Sequence, residues 1–132
     1  MIGLDTNILV HYLTQDDAAQ SRKASRIIEQ RLSPDEPGFL SLVTMVETVW
    51  VLKTRYRMRS AQIAMVIERI LAADSLQVQN EQQVFEAMVA LKSGAGTFAD
   101  ALVAALGAWA GCSSTLTFDE RSVRLNGFRL AD

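Results

Sequence analysis

The sequence predicts an α/β fold, with five short strands in a mostly parallel sheet flanked by helices. Two observations carry this expectation. Short apolar runs alternate with segments of helical apolar spacing from one end of the chain to the other. Capping or breaking residues mark the transitions between them. With 132 residues, 49% hydrophobic and 21% charged, the chain is expected to form a single domain, 1–132, around one core.

Taken in order, Met1 to Leu4 reads as the first strand. Asn7 to Leu13 reads as a short helix, with Asp5 or Thr6 as its cap. Asp17-Ala18-Ala19-Gln20 has the form of a capping box and opens a helix from Ala18 to Arg31. Arg22, Lys23 and Arg26 lie on its solvated face. Ser33 to Gly38 holds both prolines and reads as a loop. Gly38 to Leu40 is the second strand, and Ser41 or Leu42 opens a helix to about Tyr56. Ser60 to Ala73 places Ile63, Val66, Ile67, Ile70 and Leu71 at helical spacing, a core stripe. Leu76 to Val78 is the third strand. Asn80 to Gln83 forms a second capping box for a helix to Lys92. Thr97 caps a helix from Phe98 to Ala110, which Gly111 ends. Thr115 to Thr117 is the fourth strand, Asp119 to Leu125 a helical turn, and Gly127 to Leu130 the fifth strand. Trp109 and Cys112 read as core residues.

Composition narrows the chemistry. The formal net charge is -2, so nucleic-acid binding would need a local basic patch. Ten of the 13 basic residues are arginine, which suits bidentate phosphate contacts. One cysteine and one histidine exclude an internal disulfide and a Cys/His zinc site. A metal site would be built from oxygen, which favours magnesium or manganese. No signal peptide is visible, and Ala101 to Cys112 is too short to span a bilayer. The expectation is a cytoplasmic protein with no membrane role.

Four acidic residues stand out. Asp5 and Asp119 each follow an apolar strand and precede a helix, where an aspartate serves equally as an N-cap or as a ligand at a strand end. Glu47 has Val43, Trp50 and Val51 as its i-4, i+3 and i+4 neighbours, so its carboxylate lies along a mostly apolar face. Asp100 is the only charged residue between Thr97 and Cys112, in a helix whose apolar girth predicts burial. Its competing explanation is local, since Thr97-x-x-Asp100 is also a cap pattern. Carboxylates gathered in one pocket repel unless a cation neutralises them. A hard divalent cation there would lower the pKa of a water and orient it against a phosphodiester.

Asp5-Thr6-Asn7, Thr44-x-x-Glu47, Phe98-Ala99-Asp100-Ala101-Leu102 and Thr117-Phe118-Asp119 together resemble the four signature segments of PIN-domain ribonucleases. Their order, spacing and the chain length are similar to those of the small VapC-type toxins of VapBC toxin–antitoxin pairs. The resemblance implies a PIN-like three-layer fold. It implies that Asp5, Glu47, Asp100 and Asp119 are catalytic and bind one or two Mg2+ or Mn2+ ions. Thr6, Asn7 and Thr117 would support them or position water. It further implies endonucleolytic cleavage of RNA, a homodimer, and an antitoxin protein that covers the active-site groove. Thr97 departs from the pattern, because many relatives carry an acidic or polar residue there. A ligand role and a capping role both remain open for Thr97, and a contribution from Glu120 is also open. The departure motivates an alternative: a catalytically weak PIN-fold module that binds RNA or protein.

Lys53-Thr54-Arg55-Tyr56-Arg57-Met58-Arg59 places four basic residues in seven. Lys53, Arg55, Arg57 and Arg59 would grip an RNA backbone, with Tyr56 stacking on a base. The competing reading is a set of cations at a helix C-terminus and in the turn after it.

Overall fold

A computed structural model describes residues 1–132. The chain falls into two compact units, Met1–Glu81 and Gln82–Asp132.

In the first unit, β1 (Ile2–Gly3), β2 (Gly38–Leu40) and β3 (Leu76–Val78) pair in parallel in the order β1-β2-β3. Ile2 lies opposite Gly38, and Gly38 opposite Leu76. The first position of β2 is tight against two leucine side chains, which would have to shift for anything larger than glycine. A Cβ there would sit 2.8 Å from Leu32 Cδ1 and 2.9 Å from Leu4 Cδ1. Around this sheet run α1 (Thr6–Thr14), α2 (Ala18–Arg26), α3 (Leu42–Thr54) and α4 (Ser60–Ala72). Asp17 Oδ1 accepts from Gln20 N at 2.9 Å, so the expected cap of α2 forms. The helix expected to reach Arg31 instead passes into a π-helical turn at Ile27–Arg31. Ile63, Ile67 and Ile70 of α4 are buried with Leu9, Leu40 and Met45, which places the isoleucines of the apolar stripe in the core; Val66 and Leu71 are half-buried at its margins.

The second unit holds α5 (Glu81–Ser93) except for its first residue, then α6 (Phe98–Trp109), β4 (Thr115–Thr117), a 3-10 turn at Ser122–Arg124, and β5 (Phe128–Leu130). β4 and β5 pair in parallel, Thr115 opposite Phe128. The protein is thus α/β with parallel strands, but its five strands form two hydrogen-bonded sheets of three and two strands, not one sheet of five. Local pattern marks a strand; it does not choose its neighbour, and strands of two or three residues carry few ladder bonds.

Two core assignments are corrected. Trp109 is 69% exposed, and Cys112 is exposed. The first turns of α6 bury Phe98, Ala101, Leu102 and Ala104, whereas Ala108 to Ala110 emerge into solvent. Trp109 and Cys112 lie at and beyond the end of α6, past the last residue that the helix buries.

Three non-glycine residues have left-handed backbones: Gln15 (φ 53°), Arg57 (φ 51°) and Asn80 (φ 50°). No helix is long and apolar enough to cross a membrane.

Candidate active site

In the first unit β1 leads directly into Asp5, which has an extended backbone and caps α1. Its Oδ1 accepts from Thr6 N at 2.7 Å, and its carbonyl accepts from Ile8 N at 3.1 Å. Thr6 is buried, and its hydroxyl donates to Glu47 Oε1. Glu47 sits in the middle of α3, whose start is fixed by Ser41 Oγ accepting from Thr44 N at 3.1 Å. One threonine hydroxyl therefore ties the strand-end aspartate's neighbour to the helix-borne glutamate. Asn7 is exposed.

The apolar face that carries Glu47 is not a buried one. Glu47 is exposed, with Val43 76% and Trp50 62% exposed beside it. The residues buried from α3 are Thr44, Met45, Thr48, Val49 and Leu52, on the other side. A helix with apolar residues on two faces has no sequence signal for which face is covered.

In the second unit Thr97 caps α6 with Oγ1 accepting from Asp100 N at 3.1 Å. Asp100 is half-buried in a helix that is only partly covered, so the expected all-round burial does not hold. Its Oδ2 accepts a long bond, 3.5 Å, from Ser122 Oγ. Ser122 is only 5% exposed, and its own N–H donates to the Asp119 carbonyl at 3.1 Å. Asp119 N donates to Thr117 Oγ1 at 3.0 Å. Asp119 Oδ1 accepts from Arg121 N at 2.9 Å, with Arg121 Nε 3.5 Å away. The Arg121 N–H is the main influence holding the Asp119 carboxyl below its ordinary pKa; the guanidinium assists and partial desolvation opposes. Glu120 is exposed.

Each unit thus brings two of the four acids into one bonded group, Asp5 with Glu47 through Thr6 and Asp119 with Asp100 through Ser122. Neither unit contains a cluster of three or more acidic, His or Cys side chains that could hold a metal. The donor chemistry nonetheless suits a hard cation. In Asp5, Glu47 and Asp100 one carboxylate oxygen accepts a hydrogen bond and the other keeps its lone pairs free of protein donors. Anchored, singly committed carboxylates are the ligands that magnesium and manganese use. Ser122 is the residue that sequence reasoning missed. Its only signal is a hydroxyl three positions after a strand-end aspartate, inside a turn where serine is commonplace.

Lys53, Arg55, Arg57 and Arg59 are all exposed, and none takes part in the ion pairs of the chain. Tyr56 is less available than its neighbours in sequence suggest. It is half-buried, its hydroxyl donates to Asp16 Oδ2, and this carboxylate also lies 2.8 Å from His11 Nδ1. Those two contacts, the tyrosine first, hold Asp16 well below the usual carboxylate range. A cavity of about 830 Å³ in the first unit is lined by residues of α1, the π-helical turn, α4 and the start of β3, and by none of the four acids.

No curated protein matches the chain. The family model described as the PIN domain matches residues 2–127, a span that takes in all four acids. PIN domains are generally metal-dependent nucleases, and nuclease activity in general is what this match supports. The chain belongs to the PIN domain family.

Proposed function

We propose that the protein is a metal-dependent endoribonuclease and the toxin of a type II toxin–antitoxin pair. The observation that carries the nuclease reading is the twofold use of one device. A strand-end aspartate stands beside a hydroxyl that holds a helix-borne acid: Asp5 with Thr6 and Glu47, Asp119 with Ser122 and Asp100. Asp5, Glu47, Asp100 and Asp119 are the proposed catalytic, metal-binding residues. When bound, Mg2+ or Mn2+ supplies Lewis acidity and an acidified water for attack on the phosphodiester. The chain's part is to hold the carboxylates oriented. Thr6 and Ser122 each engage one oxygen of an acid, and the Arg121 N–H favours the charged form of Asp119. Thr117 holds the backbone of Asp119, and Asn7 is left to position water or substrate. Lys53, Arg55, Arg57 and Arg59 supply phosphate contacts.

The toxin role, the cognate antitoxin, the homodimer and the cytoplasmic setting rest on the likeness of the four segments and the chain length to VapC-type proteins. A small antitoxin-like reading frame directly beside this one would support that role. The chemical test is direct. Purified protein freed of any partner should cleave single-stranded RNA in Mg2+ or Mn2+, stop in EDTA, and resume when the cation is restored. Cleavage indifferent to EDTA, or no cleavage at all, overturns the proposal.

Thr97 supports a second reading, a PIN-fold module that binds RNA or protein with weak catalysis. Its hydroxyl is engaged on the Asp100 N–H as a helix cap, and it brings no carboxylate to the site. That reading expects RNA retention without cleavage and no melting shift on adding Mn2+.

Ser122→Ala separates support from ligation. Residues that orient ligands typically contribute 10- to 100-fold in affinity or activity. Because this hydrogen bond is long, a loss of about 10-fold in Mn2+ affinity is expected, read by calorimetry on the full chain. An unchanged Mn2+ affinity would leave Ser122 with a packing role alone.

A further inference from the structure

We infer that Trp50 is a base-stacking platform for single-stranded RNA, set one helical turn from Glu47 and continuous with the cationic segment that begins in the last turn of α3. The inference rests on the proposal that RNA is the substrate, and it names the residue that positions a nucleobase beside Glu47.

The exposed face of α3 is unusual in composition. Val43, Glu47 and Trp50 follow at i, i+4 and i+7, and all three face solvent while the helix buries its opposite side. Residues three apart on a helix have Cβ atoms about 5–6 Å apart. Trp50 is therefore a near neighbour of Glu47 along this face. The Trp50 carbonyl accepts from Thr54 Oγ1 at 2.8 Å, which closes the last turn of the helix beneath it. Lys53 in that turn and Arg55, Arg57 and Arg59 beyond it are exposed and carry no ion pair.

An exposed tryptophan beside unneutralised cations suits one occupant better than another. An apolar protein face would cover Trp50 and Val43 but leave the cations uncompensated or desolvated, at a cost. A single strand of nucleic acid satisfies both, with a base on the indole and successive phosphates on the cations. Trp50 also takes the place that Tyr56 would have filled. Tyr56 is half-buried and its hydroxyl is engaged by Asp16, whereas Trp50 presents its ring to solvent.

The test uses the full chain with Trp109→Phe, so that Trp50 is the sole tryptophan of the two. Fluorescein-labelled oligouridylate is titrated in EDTA, which separates binding from cleavage. Trp50 emission should be quenched with the same midpoint as the anisotropy rise of the probe. Trp50→Ala should weaken binding by about 5- to 140-fold, the range set by one base–aromatic stack, and Trp50→Phe should recover part of it. In the cleavage assay the Trp50→Ala loss should fall mainly on KM. Unquenched emission during binding, or unchanged affinity in Trp50→Ala, overturns the inference and leaves the nuclease proposal standing. Conversely, quenching and weakened Trp50→Ala binding in a protein that never cleaves RNA would uphold the platform and remove the nuclease. If Trp50→Ala converts a dimer to a monomer with RNA affinity intact, the face is a subunit interface and the inference falls. Absence of any oligouridylate binding also overturns it.

Discussion

Asp5→Asn is expected to fold as the wild type does and to lose at least about 100-fold of RNA cleavage, a drop at or beyond the upper range for residues that merely orient ligands. The substitution is chosen because Asp5 has two roles in the structure. Its Oδ1 accepts from Thr6 N and caps α1, and an asparagine side chain caps a helix about as well as an aspartate. The cap survives while the charge is removed, so thermal stability should stay close to wild type while cation-dependent activity falls. Asp5→Ala, by contrast, should lose the activity and also about 1 kcal/mol of stability through the lost cap. Asp100→Asn applies the same logic to the other unit, since its side-chain oxygen can still accept from Ser122 Oγ. Initial rates on a fluorogenic RNA, beside melting curves by circular dichroism, separate the two effects. Wild-type rates in Asp5→Asn would refute its assignment as a ligand.

Phe98→Ala should be among the most damaging single changes to the fold. Phe98 is 2% exposed and is the first residue of α6, directly after the Thr97 cap. Removing a buried phenylalanine typically costs about 3–5 kcal/mol, through lost transfer energy and the cavity left behind. Against the 5–15 kcal/mol that usually separates folded from unfolded domains, that is a large share. Phe98→Leu keeps most of the volume and should cost less than half as much. Urea denaturation of the three proteins measures the difference. A loss below about 1 kcal/mol in Phe98→Ala would mean that the start of α6 is held by its cap and not by its anchor. Activity should fall with stability here, because Asp100 lies two residues farther along the helix that Phe98 secures.

What the sequence made legible is what short-range chemistry decides. Asp17, Ser41 and Thr97 cap their helices, and β2, β3 and β4 begin and end where apolar runs meet breakers. The stripe of α4 enters the core because isoleucines at helical spacing leave no other face to bury. Long-range choices were not legible. Glu47 shares its face with Val43 and Trp50, and nothing local says that this face is left open while Met45 and Leu52 are covered. The division into two sheets depends on strand pairing across many residues. Ser122 contributes through a bond to a residue 22 positions away, which no window around it contains.

The left-handed turn at Arg57 places a long cationic side chain where a glycine backbone would rest more easily. For an L-residue this conformation costs roughly 1–2 kcal/mol. If that guanidinium holds a phosphate, the fold gives up stability at Arg57 to keep a charge in place. A glycine there would then make a sturdier protein and a poorer nuclease, so selection for thermostability and selection for activity would choose different residues at this one position.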